Sequence, residues 1–297
     1  MHCAHTVGVT VTDIEIASQP ELWRRTATAD VPEFISAPGQ RMLVIGCGTS
    51  AFVAMAYAQL REAAGFGETD WAYASEVPTR RRYDTVLAIT RSGTTTEVIT
   101  ALNDLDAGTK VVVTAVPNGP LAPLVDHELV LEYADESSVV QTRFPTTVLV
   151  MLRKALGQDL APVLADGERA TGEPLPVDAA SYRHYVYLGS GWTVGLAYEA
   201  ALKMREAAQA WSESYPAMDY RHGPIAVAGP ESLVWLLGPP PDGLVEQIAQ
   251  TGATVVTGDL DPLAQLVQAQ RCAVAAATAK GLDPDQPRGL TRSVVLA

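Results

Sequence analysis

Two α/β units in succession, each a parallel sheet flanked by helices, are predicted from three observations. Short apolar runs rich in β-branched residues alternate with helical stretches, the pattern of parallel strands covered on both faces. Each half opens the same way, with a strand, a Gly-x-Gly turn, a hydroxyl residue and a helix. The two copies are Gly46-Cys47-Gly48-Thr49-Ser50 and Gly189-Ser190-Gly191-Trp192-Thr193. Between the halves, Pro162, Gly167, Gly172, Pro174 and Pro176 make a composition that reads as a linker.

In chain order, a helix is expected near 20–29, packed on the first half. Strands follow at 42–46, 71–75, 85–90, 110–115 and 129–133, with helices at 50–64, 95–105 and 146–156. The second half restarts with a strand at 184–189 and a helix at 194–208. Strands at 233–237 and 253–257 and helices at 244–251 and 262–280 complete it. The division expected is 1–160 for the first unit, 161–180 for the linker and 181–297 for the second unit.

Composition narrows the class. The chain has 297 residues, 47% hydrophobic and 19% charged, which indicates a globular protein with a proper core. No apolar run is long enough to span a membrane. The first residues lack the basic and apolar segments of a signal peptide. Cys3, Cys47 and Cys272 are odd in number and widely spaced, which fits a reducing cytoplasm. A net charge of −13 makes a poor nucleic-acid binder, and Arg80-Arg81-Arg82 is too short a run to reverse it. An anionic ligand would need local donors to overcome that field. His2 and His5 could hold a metal only weakly, and no metal or other cofactor is expected.

Two stretches carry chemistry. In the first, Glu199, Lys203 and Glu206 fall at i, i+4 and i+7 and share one helix face. A solvated charged stripe would look the same. The stretch continues to His222-Gly223-Pro224, where the chain must turn and a loop can present the imidazole. Carboxylates and imidazoles are suited to proton transfer near neutral pH. The second stretch is Thr90-Arg91-Ser92-Gly93-Thr94-Thr95-Thr96-Glu97, between a strand and a helix. Five hydroxyls, a glycine and a helix N-terminus suit a phosphate monoester, whereas N-capping needs one hydroxyl. Gly46-x-Gly48-x-x-Ala51 also matches a loose dinucleotide fingerprint, but the acidic residue expected after the second strand is missing, with Glu76 a late candidate.

The segment 198–224 resembles the second half of the SIS (sugar isomerase) domain pair of glucosamine-6-phosphate synthases, where a helix ending in Lys-x-Lys-Glu leads to Lys-His-Gly-Pro. The sixteen-residue spacing from Glu206 to His222 is the same. The likeness extends to Glu15-Ile16-Ala17-Ser18-Gln19-Pro20 and to Asp285-Gln286-Pro287-Arg288-Gly289-Leu290-Thr291-Arg292-Ser293-Val294, and so covers nearly the whole chain. It implies two flavodoxin-like SIS subdomains and a homodimer.

Carried over residue by residue, the resemblance implies that Ser50, Thr90, Ser92 and Thr95 hold a sugar phosphate. Arg91 stands where the family has Gln, and would add a cation. Thr49 joins the pocket. Glu136, Val139 and Thr142 align with a sugar-contacting segment, while Val140 and Gln141 replace Ala-Ser. Glu206 becomes the base moving a proton between C1 and C2, Lys203 the cation stabilising the enediolate, and Glu199 the group orienting Lys203. His222 would open the sugar ring, from the neighbouring subunit. Arg292 replaces an imine-forming Lys, and arginine is a poor imine former. That replacement, the lack of an amidotransferase domain ahead of the pair and the position of Cys3 behind His2 all argue against glutamine-dependent synthesis. Isomerisation or deamination of a hexosamine 6-phosphate is the expected chemistry. Dehydration through loss of the C3 hydroxyl, and a non-catalytic sugar-phosphate sensor, remain the alternatives.

Overall fold

The computed structural model describes residues 9–296, so His2, Cys3 and His5 lie outside it. Two all-parallel sheets form. In the first, β1 (Met42–Gly46), β2 (Thr69–Tyr73), β3 (Tyr83–Ile89), β4 (Ala107–Thr114) and β5 (His127–Val130) take the order β2-β1-β3-β4-β5. In the second, β6 (His184–Gly189), β7 (Trp211–Pro216), β8 (Ser232–Leu237) and β9 (Thr254–Val256) repeat that order as β7-β6-β8-β9. Central strands β1 and β8 are buried along their full length, and β6 in all but its first residue, which is why they read as nearly unbroken apolar runs.

The repeated Gly-x-Gly turn has one steric cause in both copies. A Cβ on Gly46 would lie 2.6 Å from the backbone of Ser50, and one on Gly189 would lie 2.2 Å from the carbonyl oxygen of Thr193. The helix after each strand folds back over the strand's last residue, so no side chain fits there. The second glycine of each pair, Gly48 or Gly191, takes φ +52° or +56° to reverse the chain. The helices launched are α3 (Thr49–Ala63) and α7 (Thr193–Ala208).

These two helices cross at Gly195. A Cβ there would stand 2.5 Å from the carbonyl oxygen of Phe52 and 2.9 Å from the amide of Ala56. The crossing joins the halves into one core. Tyr57 of α3, Phe144 and Val148 of α5 (Arg143–Ala155), Leu196 and Met204 of α7, and Val267 and Cys272 of α9 (Pro262–Ala279) belong to a single apolar cluster. Smaller clusters cover the other face of each sheet, under α4 (Thr96–Asp104) in the first and α8 (Leu244–Ala249) in the second.

Three elements differ from expectation. The stretch read as a linker contains helix α6 (Ala161–Gly172), opened by Pro162 in its first turn, where a missing N–H costs nothing. It packs against α9 and against α2 (Gln19–Thr28), with Gly167 placed so that the Trp23 ring fits over it. Proline and glycine here mark a helix start and a close contact, not an irregular connection. The stretch after α7, for which no strand was expected, is edge strand β7, paired in parallel with β6. A short α1 (Val11–Ala17) precedes the expected N-terminal helix and is opened by a capping box of Thr10 and Asp13. Among the described residues, no helix is long and apolar enough to cross a membrane.

The helix crossing yields a test. Gly195→Ala should lower stability by about 1–3 kcal/mol through overpacking, read as a shift in the urea midpoint at unchanged slope. An unaltered midpoint would show that α3 and α7 have room to spare.

Candidate active site

In sheets of this order, the chain departs from one central strand to one side and returns on the other, leaving a crevice at the strand C-termini. In the first sheet this switch lies between β1 and β3. The loops that flank it are 46–49 and 90–95, which hold the sequence's hydroxyl clusters. Thr95 is the N-cap of α4 and Gly48 that of α3, yet neither helix has a side-chain cap hydrogen bond. The Thr95 hydroxyl is therefore not spent on capping. Two helix N-termini without a side-chain cap border one crevice, and the positive ends of their dipoles attract an anion.

The charged face of α7 meets α3 at the same crevice. Lys203 Nζ lies 3.2 Å from Glu199 Oε1, 2.6 Å from Glu206 Oε2 and 3.0 Å from Thr49 Oγ1. The Thr49 hydroxyl also donates to Glu199 Oε1 at 3.2 Å. These residues are not a solvated stripe, because the Lys203 and Glu199 side chains are 1% and 2% exposed. Glu206, at 17%, is the member open to solvent. Burial pushes Glu199 up to about 7 despite the attraction of Lys203. Burial also pulls Lys203 down, but its two carboxylates outweigh that and hold it above the usual lysine value. The lysine is thus kept charged beside a buried carboxyl that is half-protonated near neutrality. Glu199 Oε2 is buried with no hydrogen-bond partner, so the cluster has unused acceptor capacity.

The C-terminal tail closes the crevice. Leu290 and Arg288 join Leu202, Arg205, Glu206 and Gln209 around a cavity of about 380 Å³. A few residues on, Ser293 Oγ lies 3.0 Å from Ser92 Oγ and 2.8 Å from Thr94 Oγ1. Thr96 donates its N–H to Val294 O, and the Leu296 N–H donates to Thr96 Oγ1. Leu290 and Ser293 are three residues apart, so the Glu206 cavity and the 90–95 hydroxyls are linked by at most about 10 Å of chain.

Arg91 does not stand free beside the hydroxyls. Its guanidinium is buried, and donates to Ser138 O at 2.8 Å and to Arg292 O at 2.6 Å, with Glu136 3.6 Å away. Its cation holds the walls of the crevice, namely the tail and the 136–142 segment. Arg292 pairs through its own side chain with Asp135 at 2.6 Å, a fastening and not a free clamp. Glu136, pushed up to about 7 by burial against the opposing pull of Arg91, accepts the N–H groups of Thr142 and Phe144. In this segment Val139 is half-buried, and Gln141 holds a buried Oε1 with no partner. Thr90 and Ser50 are buried at the crevice loops.

His222 is not among the residues around the Glu206 cavity. It ends a short 3-10 turn, Asp219–His222, and is exposed. Arg221 beside it is pinned by Gln247 Oε1 and Asp242 O, so the turn is held while the imidazole stays free. Sequence reasoning assigned nothing to Ser293, Asp135, Arg205 or Gln209. Ser293 and Asp135 carry no local signal, because their partners are more than 150 residues away. Gln209 ends α7 at φ +47°, a position usually given to glycine or asparagine, and such a substitution is invisible before the helix end is known.

Comparison with known proteins agrees with this architecture. Residues 34–155 match the SIS domain. The glutamine–fructose-6-phosphate aminotransferase (isomerizing) of Caulobacter vibrioides is 28% identical over 95% of this chain. The match covers 58% of that relative and 51% of its counterpart from Bacteroides thetaiotaomicron, so the chain spans little more than half the length of these proteins. In fold, the glucosamine-6-phosphate deaminase of Thermotoga maritima superposes with a TM-score of 0.82 at 24% identity, over 97% of this chain and all of that one. The tagatose-6-phosphate ketose/aldose isomerase of Escherichia coli gives 0.78 at 18% identity, over 97% and 96% of the two chains. Over residues 34–155 the chain thus matches the SIS domain, and along nearly its whole length it is similar in sequence to glutamine–fructose-6-phosphate aminotransferases and in fold to phosphosugar isomerases.

Proposed function

We propose that this protein acts on a hexosamine 6-phosphate in open-chain form, moving the C2 proton to C1 and giving isomerisation or deamination. The observation that carries the reading is the tail-bridged crevice. Donor hydroxyls and helix N-termini stand at one end, and a partly buried carboxylate with a buried cation at the other.

The chemistry follows from the positions. Ser50, Thr90, Ser92 and Thr95 take the phosphate, and Arg91 adds positive potential from behind the wall. Glu206 removes the proton α to the carbonyl. Lys203, 2.6 Å away, stabilises the negative charge that develops on the oxygen, since a buried cation acts strongly where water is excluded. Thr49 and Glu199 fix Lys203 from the opposite side. Val139 and the unpartnered Gln141 Oε1 face the middle of the sugar. Return of the proton to C1 gives the ketose. With a free amine at C2, the same step gives a ketimine, which water hydrolyses with release of ammonia. Arg292, bound to Asp135, has no part in covalent capture of the ketose.

His222 belongs to this reading as the ring-opening group of a neighbouring subunit in a cytoplasmic homodimer. Met218 and Val227, close to it in sequence, are large apolar side chains left 55% and 64% exposed, and Trp211 on edge strand β7 is 70% exposed. An interface would cover them.

Three outcomes test these roles. In D₂O, substrate or product should gain deuterium at C1 or C2. Glu206→Gln should abolish the exchange and cut turnover about 10²–10⁴-fold, whereas Ser92→Ala and Thr95→Ala should act mainly on KM. Turnover retained by Glu206→Gln removes it as the base. Next, Glu206→Gln and His222→Ala chains, each inactive alone, should recover activity when mixed as heterodimers. Failure in verified heterodimers would place the whole site within one chain. The third outcome concerns pH. The folded values of Glu199 and Glu136 lie above the unfolded carboxylate value, so their contribution to stability is complete below about pH 4.5 and is lost as pH rises through about 7. Glu199→Gln should flatten this loss, by up to about 3 kcal/mol, in urea midpoints measured from pH 5 to 8. An unchanged slope would mean that Glu199 is ionised throughout.

A further inference from the structure

The cavity beside Glu206 has more positive charge than proton transfer needs. Arg205 and Arg288 both line it, and among the described residues neither forms an ion pair. Arg205 spends one terminal nitrogen on Ser212, at 3.0 Å to its carbonyl and 3.3 Å to its hydroxyl, which leaves the rest of the fork uncommitted. Arg288 is exposed and makes no side-chain hydrogen bond. The carboxylate in this cavity, Glu206, is already taken by Lys203 at 2.6 Å. Gln209 adds an amide to the same wall from the left-handed residue that ends α7, φ +47° and ψ +37°. In a chain of net charge −13, two guanidinium groups left unpaired around one cavity are an attraction for an external anion.

We infer that this cavity is a second anion subsite, taking a carboxylate carried at the C1–C2 end of the sugar phosphate. The planar guanidinium forks of Arg205 and Arg288 grip the carboxylate, Gln209 donates its amide, and Leu202 and Leu290 receive the carbon atoms that bear it. The inference rests on the reading of the 90–95 crevice as the phosphate site. It narrows the substrate class to hexosamine 6-phosphates whose C2 nitrogen carries a carboxylate-bearing group, with C1 left as the aldehyde that receives the proton. It also separates the duties on α7: Lys203 faces the reacting oxygen from within, and Arg205 faces the substituent from outside.

The test uses two ligands of equal length that differ only at C1. These are 6-phosphogluconate, which ends in a carboxylate, and glucitol 6-phosphate, which ends in a hydroxymethyl group. Titration calorimetry should find the aldonate bound at least about tenfold more tightly by the unaltered protein, the scale of one charge-assisted contact. Arg205→Gln and Arg288→Gln should each reduce that advantage, and the double variant should erase it. Glucitol 6-phosphate should bind all forms within about twofold, which also reports an intact fold. Equal affinity of the two ligands for the unaltered protein overturns the subsite alone. An advantage that survives the double substitution also overturns it, because the carboxylate then rests on Lys203. Failure of both ligands to bind the unaltered protein overturns the phosphate reading together with the subsite.

Discussion

The close crossing of α3 and α7 is the constraint on which the rest of this structure depends. Gly195 removes the side chain that would hold the helices apart, and Phe52 and Ala56 occupy the freed space with backbone. One helical turn after Gly195 comes Glu199, and one more turn brings Lys203. Both reach Thr49, the first residue of α3. Residues about 150 positions apart thus become hydrogen-bond partners because one contact carries no Cβ. If the helices separate, Lys203 is left a buried cation with part of its partners removed, a costly state. The packing and the charge cluster therefore support one another.

The tail is the second organising element. Asp285 accepts the N–H groups of Val11 and Thr12, which ties the start of the tail to α1. From α1, Glu15 accepts the Ser137 N–H, and Ser138 O in turn receives Arg91. Arg91 also holds Arg292 O, and Arg292 holds Asp135. The path closes on itself around the crevice. Buried pairs such as Arg91 and Glu136 are weak evidence for stability, because desolvation opposes the attraction. Here they act on geometry: each guanidinium takes two carbonyls or a carboxylate from different segments. That explains how a run without regular secondary structure can sit in one place across the mouth of the crevice.

The second sheet repeats the first with a different use. Its Gly-x-Gly turn serves the same steric need, but the hydroxyl of Thr193 is turned inward, accepting the Ser190 N–H and donating to Ser190 O. In the first sheet, by contrast, the Thr49 hydroxyl is shared with Lys203 and Glu199. One copy of the turn joins the buried charge cluster, while the other builds a helix start that delivers the charged face of α7.

Much of this was legible before folding, and the division has a physical basis. Local forces are written locally: β-branched runs marked β1, β3, β4, β6 and β8, the Gly-x-Gly pairs marked both strand-to-helix turns, and the spacing of Glu199, Lys203 and Glu206 placed them on one face. Density of hydroxyls pointed to the 90–95 loop because capping alone does not require so many. The errors were also local. Strand β7 was hidden by its polar residues, which an edge strand tolerates, and α6 was hidden by prolines and glycines that serve a helix start and a ring contact. What the sequence could not express is partnership at a distance. The charge on Arg91 is plain in the chain, but its direction depends on where Ser138 and Arg292 come to rest. Arg205 and Arg288 look like ordinary surface arginines until the tail crosses α7 and leaves both facing one cavity. Local propensity and pattern decide which elements form, because their energetics involve near neighbours. Tertiary packing alone decides which charges are paired and which are left open to a ligand, because Coulomb and desolvation energies depend on distances that no short segment contains.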